Sequence, residues 1–252
     1  MHKLSIVIIT YNEESRIRPT LESIKWCDEI VIVDSCSTDK TVDICKEYPN
    51  CKVYSQPFLG YGLQKKMAVE KASNNWVLSL DADEVVTDAL RKEIQTILSE
   101  PVIQSSGFYV PVTMVFMNKV FRYGAEYKCM HLRFFNKSEG NFNTQNLHEA
   151  VQIKGATTKL RNEVLHYSYV DIHHYLQKMN DYTTIYANDA LKRGKHVGKF
   201  ISVFRFIFEF FRQYFIKGNF MNGYAGFVWS VLSVFYTFTK LAKLYEKRLY
   251  QN

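Results

Sequence analysis

Four short apolar runs, each closing on polar or acidic residues and each followed by a helical pattern, leave this chain few folds to adopt. They lie at residues 4–9, 29–33, 52–55 and 76–80. The helical patterns between them are expected at 11–26, 41–47 and 63–73, with a fourth at 87–99 capped by Thr87 or Asp88. Continuous apolar runs are what a strand buried on both faces needs, and alternation with helices predicts a mostly parallel α/β sheet. After Pro101 the rhythm changes. Strands are expected at 107–112 and 131–135, and the chain reads helical from Asp171 onward. The expected division is a catalytic region over 1–170, with halves at 1–100 and 101–170, followed by a helical extension over 171–252.

The fourth run, Trp76-Val-Leu-Ser-Leu80, leads directly into Asp81-Ala82-Asp83-Glu84. In an extended chain residues two apart face the same side, so Asp81 and Asp83 can point to one spot beyond the strand. Two carboxylates held together raise each other's charging cost unless a cation lies between them. A hard divalent ion that also grips a diphosphate suits that place. Asp-x-Asp alone also fits a turn and a helix N-cap. The other strand ends add weight: Thr10, Tyr11, Asn12 and Glu13 follow the first run, and Asp34, Ser37 and Asp39 follow the second. In open parallel sheets ligands bind outside the carboxyl ends of the strands. Tyr11 offers a ring for a base, and Asp34 can accept from a base N–H or a ribose hydroxyl. A Gly-x-Gly-x-x-Gly turn after the first strand is absent, as is a Gly-Lys-Ser/Thr loop, so a dinucleotide fold and a P-loop enzyme are disfavoured.

Charge divides the chain unevenly. Residues 1–150 hold 17 Lys and Arg against 19 Asp and Glu, a net of −2, whereas 151–252 hold 15 against 6, a net of +9. The basic part is also rich in Phe and Tyr, above all over 199–217, and residues 221–238 carry no charge. This composition suggests a nucleic acid or an anionic membrane surface as neighbour, and the apolar aromatic stretch an interfacial helical hairpin, with packing on the core or a dimer contact as the equal alternative. The five cysteines form no Cys-x-x-Cys pair and are read as small buried hydrophobes in a reducing cytosol, and the N-terminus does not read as a signal peptide.

Thr-Tyr-Asn-Glu at 10–13, Val-Asp-Ser-Cys-Ser-Thr-Asp at 33–39 and Leu-Asp-Ala-Asp-Glu at 80–84 resemble family 2 glycosyltransferases of the GT-A fold, a Rossmann-like nucleotide-diphospho-sugar transferase fold. Gly-Tyr-Gly-x-Gln-Lys at 60–65, Leu-His-Glu at 147–149, His-Tyr-Ser-Tyr at 166–169 and the aromatic, basic C-terminal region resemble the WaaE/KdtX-type lipopolysaccharide core glycosyltransferases. The resemblance spans nearly the whole chain. It implies a metal-dependent inverting transfer from a UDP-sugar, UDP-glucose being the working choice, to a lipid-linked glycan, with Mg²⁺ or Mn²⁺ as cofactor. It places Thr10, Tyr11, Asn12, Glu13, Asp34, Ser37 and Asp39 around the uridine. Gln64, Lys65, Lys66, Asp81 and Ala82 fall around ribose and diphosphate, Arg133 at the acceptor or the donor phosphate, and Asp81, Asp83 and His166 at the metal. Lysine at 66 departs from the asparagine common in the family, which leaves its role open. Glu149 is by spacing an ordinary surface glutamate, and the resemblance makes it the base. His166, by itself a core histidine as often as a ligand, gains its role the same way. The implied location is the cytoplasmic face of the inner membrane, with no nucleic-acid partner. A nucleotidyltransferase on a similar sheet and a non-catalytic membrane-surface protein are the competing readings.

Overall fold

The computed structural model describes residues 2–144, 149–195 and 199–250, of which 199–203 as backbone. The strands are β1 (Leu4–Thr10), β2 (Glu29–Asp34), β3 (Cys51–Ser55), β4 (Trp76–Asp81), β5 (Glu84–Val86), β6 (Gly107–Phe116), β7 (Lys119–Val120), β8 (Cys129–Asn136), β9 (Gly140–Phe142), β10 (Val151–Ile153), β11 (Thr157–Lys159) and β12 (Val164–His166). The helices are α1 (Ile17–Ile24), α2 (Thr41–Lys46), α3 (Tyr61–Lys71), α4 (Asp88–Ser99), α5 (Ile172–Lys192), α6 (Lys199–Phe211) and α7 (Gly223–Leu249). Two compact units result. One comprises Met1–Thr113 and Lys128–His166, the other Met114–Tyr127 and Tyr167–Asn252.

The first unit is built on a sheet of order β3-β2-β1-β4-β8-β6-β12-β5. β1, β2, β3 and β4 are parallel, and β8 pairs antiparallel with β4. Period-two alternation divides the apolar side chains between the two faces. Ile6, Ile8, Ile30, Ile32, Leu78 and Leu80 pack with α1 and α4, while Val7, Val31, Val33 and Val77 pack with Ala68 and Val69 of α3. Thr87 caps α4 through its hydroxyl, which accepts from the Leu90 amide at 3.2 Å.

Helix α1 starts later than the sequence pattern suggests, at Ile17 rather than Tyr11. Asn12 lies in the left-handed region, φ 53°, a conformation Asn tolerates and a helix does not. The next amides are already taken: Glu13 N–H donates to Thr41 Oγ1 at 2.7 Å and Glu14 N–H to Asp39 Oδ2 at 3.1 Å. Cross-loop bonding thus replaces the first helical turn. The cysteines also depart in part from expectation, since Cys27 and Cys45 are buried but Cys36 is exposed.

At the amino ends of the strands, buried Glu29 ties four segments together. Its carboxylate accepts from Ser5 Oγ, Lys52 Nζ at 2.7 Å, and both the amide and hydroxyl of Ser73 at 2.7 Å. Burial alone would push its pKa up; Lys52, Ser5 and Ser73 outweigh it and hold the value down to about 2, against an ordinary 4.5. A depressed carboxylate pKa contributes stability above the unfolded value, and that contribution is lost as pH falls toward 2. Glu29→Gln is therefore expected to cost about 2 kcal/mol at neutral pH. That is less than the ~3 kcal/mol of the full shift, because Lys52 is open to solvent. Chemical denaturation of both proteins checks this: the gap should be present at pH 7 and close as pH approaches 2.

The second unit is helical around its core. Tyr175 and Met179 of α5 pack with Ala225 and Trp229 of α7 and with Met114, Phe116 and Phe121. Further along, Ala187 and Ala190 meet Leu244. The Tyr175 hydroxyl donates to the Leu232 carbonyl at 3.0 Å.

Candidate active site

The parallel register lines up three strand tips. Thr10 faces Asp34 across β1 and β2, and Ile9 faces Asp81 across β1 and β4. The loops that leave β1 and β2 are laced together: Asn12 N–H donates to Ser37 Oγ at 2.9 Å, and Thr38 N–H donates to Asn12 Oδ1 at 2.9 Å. Buried Asp34 accepts from Ser37 through both carboxylate oxygens, which fixes the loop and leaves further lone pairs for a ligand. Asp39 accepts from Thr41 and Glu14 and so holds the far end of the same loop. Tyr11 extends from this frame and is 58% exposed. Thr10 Oγ1 is buried with no hydrogen-bond partner. A buried hydroxyl without a partner is costly, and a ligand or a water at this strand tip would satisfy it.

Charged side chains fill the adjoining tip of β4. Lys65, almost fully buried on α3, lies 3.0 Å from Asp81 Oδ1 and 3.3 Å from Glu149 Oε1. Arg133 of β8 donates to Asp81 Oδ2 at 3.0 Å and to Glu84 Oε1 at 3.1 Å. Burial favours the neutral form of Asp81, but Arg133 and then Lys65 outweigh it and hold its pKa well below the usual carboxylate range. Glu84 is wholly inaccessible to solvent; burial pushes its pKa up, and its second oxygen accepts from the Asp81 amide at 2.9 Å. Asp83 sits between Arg16 Nη1 at 3.1 Å and His166 Nε2 at 3.3 Å. Although burial lowers the His166 pKa, Asp83 and then Glu84 raise it overall. Arg16 in turn pairs with Glu13 at 2.6 Å, joining the β1 loop to the Asp-Ala-Asp turn. The buried Ala82 places its carbonyl on the Thr20 hydroxyl at 2.8 Å, which anchors that turn to α1.

Most of the residues expected from sequence therefore meet. Asp81, Lys65, Arg133 and Glu149 form one ion-paired cluster with Glu84, and Asp83 and His166 form a second beside it, to which Glu13 is connected through Arg16. Gln64 instead braces the loop before α3: fully buried, it donates to Ser35 Oγ at 3.2 Å and to the Gln56 carbonyl at 3.1 Å. Lys66 follows half-buried, about 100° further round the helix from Lys65. Leu147 and His148 of the Leu-His-Glu motif lie outside the described residues. Sequence reasoning missed Arg16, whose i,i+3 spacing from Glu13 was the available signal, and passed over the structural weight of Glu84.

A divalent cation fits this donor set. Asp83 and His166 supply oxygen and nitrogen side by side, whereas Asp81 is engaged by Lys65 and Arg133. Among the described residues no cluster of three or more acidic, His or Cys side chains is preformed for a metal, so further ligands would have to come from a bound diphosphate or water.

Comparison with known proteins gives the family and the fold. The model of the glycosyl transferase family 2 matches residues 5–160. An uncharacterized glycosyltransferase of Rickettsia typhi is 35% identical over 99% of this chain and 89% of its own length. LpsC of Rhizobium meliloti, a lipopolysaccharide core biosynthesis glycosyltransferase, is 29% identical over 97% of this chain and 92% of its own. Among solved structures, residues 1–349 of S. aureus TarS in complex with UDP-GlcNAc match with a TM-score of 0.52 at 15% identity, covering 98% of this chain and 92% of that one, a likeness of fold. The sheet order, the acidic strand tips and a family match over more than half of the sequence lead to one assignment: the chain belongs to glycosyltransferase family 2 and has the GT-A fold.

Proposed function

We propose that the chain transfers a sugar from a UDP-sugar to a hydroxyl of a lipid-linked glycan, with inversion at the anomeric carbon. The observation that carries this reading is Lys65, which bridges Asp81 at the donor end to Glu149. One buried cation thus joins the diphosphate side to the residue suited to be the base. The uridine would lie over the β1 and β2 loops, with Tyr11 against the base and Thr10 and Asp34 beneath. Asp83 and His166 would hold Mg²⁺ or Mn²⁺, which when bound supplies counter-charge for the departing diphosphate. Glu149 takes the proton from the acceptor hydroxyl as that oxygen bonds to the anomeric carbon. The bond from that carbon to the diphosphate breaks, and UDP leaves with the electron pair. A single displacement needs no carboxylate nucleophile. Lys65 and Arg133 keep Asp81 ionised and in place.

The UDP-GlcNAc complex of TarS supports a uridine donor, and the name of LpsC supports a lipopolysaccharide core acceptor. Residues 1–100 serve the donor and 101–170 the acceptor in this reading, and the reaction takes place on the cytoplasmic side of the inner membrane. The test is to incubate the protein with a panel of nucleotide sugars, beginning with UDP-glucose, in the presence of Mn²⁺ or Mg²⁺ and extracted glycolipid, and to follow UDP release. Turnover confined to a UDP-sugar supports the reading. Absence of UDP release with every donor and acceptor fraction overturns it.

A further inference from the structure

We infer that the turn between α6 and α7, together with the outer faces of both helices, docks on an anionic lipid surface and lies in its headgroup layer without crossing it. The outward residues of α6 follow one face: Phe204, Phe208 and Phe211 recur at i, i+4 and i+7, and Phe204 is 72% exposed. The stripe continues over the turn, where Ile216 is 75% exposed. It then passes onto α7 through Tyr224, 73% exposed, and Phe227. Ring contacts between Phe206 and Phe238 and between Phe210 and Phe227 join the two helices beneath it. The apolar surface is thus continuous from one helix to the other, larger than the scattered exposed residues of an ordinary protein surface.

This exposure does not come from a loose turn. Arg212–Ile216 forms a π-helical turn and Asn219–Asn222 a 3-10 turn, and the glycines flanking the latter, Gly218 and Gly223, take φ 75° and 68°. Asn222, buried, accepts from the Arg122 amide at 2.9 Å and donates to the Tyr123 carbonyl at 3.0 Å. Gly226 lets the Asn219 carbonyl pack against α7, where a Cβ would come within 1.9 Å of it. The fold therefore presents aromatic and aliphatic side chains on a braced tip.

Charge selects the partner. Arg205 is exposed on α6 and Lys217 is half-buried at the turn, while the acid of this stretch, Glu209, is neutralised by Arg212 at 2.6 Å. Aromatic side chains with interleaved cations match the boundary between acyl chains and anionic headgroups. Length and composition alone would also let residues 219–249 span a bilayer, with mean hydropathy 1.3. The packing argues against that: α7 buries Trp229, Ser230, Val234, Leu241 and Leu244, and Lys243 Nζ reaches the Asn180 carbonyl of α5 at 2.8 Å. A crossing α7 would draw the charged α5 into hydrocarbon, which is costly.

The test uses the full chain and flotation with vesicles of phosphatidylcholine, with or without phosphatidylglycerol, alongside light scattering for mass. Wild type is expected to float with the anionic vesicles and to be released at high salt. I216E and Y224E should each weaken flotation roughly tenfold, and R205E/K217E should abolish the preference for anionic lipid, all with unchanged unfolding temperature. Failure of wild type to float, equal flotation of the variants, or variants that turn a dimer into a monomer while lipid is ignored would each overturn the inference. Binding of UDP does not depend on this surface, so failure here leaves the transferase reading standing.

Discussion

Asp83→Ala is expected to lower sugar transfer by about 10³-fold or more, the scale seen when charge stabilisation of a leaving group is removed. The substitution takes away the carboxylate that lies between Arg16 and His166. Two consequences combine. In the proposed mechanism a divalent ion would lose the oxygen that Asp83 would offer it, and Arg16 keeps Glu13 as a partner but no longer ties it to the β4 tip. Calorimetric titration with UDP should separate the effects. Binding of UDP should become insensitive to Mn²⁺, while residual metal-free binding through the β1 and β2 loops persists. Turnover within tenfold of wild type would remove Asp83 from the donor site.

Glu149→Gln should leave UDP binding nearly intact and reduce transfer by about 10²–10⁴-fold, the range for loss of a general base. Glutamine preserves the shape and can still accept from Lys65, but an amide oxygen cannot take the acceptor's proton at neutral pH. The split is diagnostic, since a residue that only holds Lys65 in position would alter donor affinity as well. The measurement is single-turnover transfer with saturating donor, together with the dissociation constant for UDP. A rate close to wild type would exclude Glu149 as the base.

The convergence of the β1, β2 and β4 tips was legible because its signals are local. An apolar run that ends in Asp81-Ala82-Asp83 carries both the strand and the chemistry in a few residues, and so do Thr10 after β1 and Asp34 after β2. Arg16 was hidden because its position depends on residues 12–14 staying out of the helix, and Ser37, Asp39 and Thr41 in a separate loop decide that. The weight of Glu84 was passed over, and His166 was read only through the family resemblance. They are partners in the antiparallel pairing of β5 with β12, strands of three residues whose sequence has no period to read. That pairing across the chain is what sets His166 beside Asp83. The long β6 and the late start of α1 depend in the same way on neighbours that sequence order does not reveal.

Hydrogen exchange of the full chain with and without UDP and Mn²⁺ tests the account most directly, since its centre is that the tips of β1, β2 and β4 form a single nucleotide-sugar pocket. Protection should rise together in residues 10–14, 35–39 and 81–84, with little change at the Glu29 end of the same strands. Protection confined to one of these segments, or appearing only elsewhere in the chain, would contradict it.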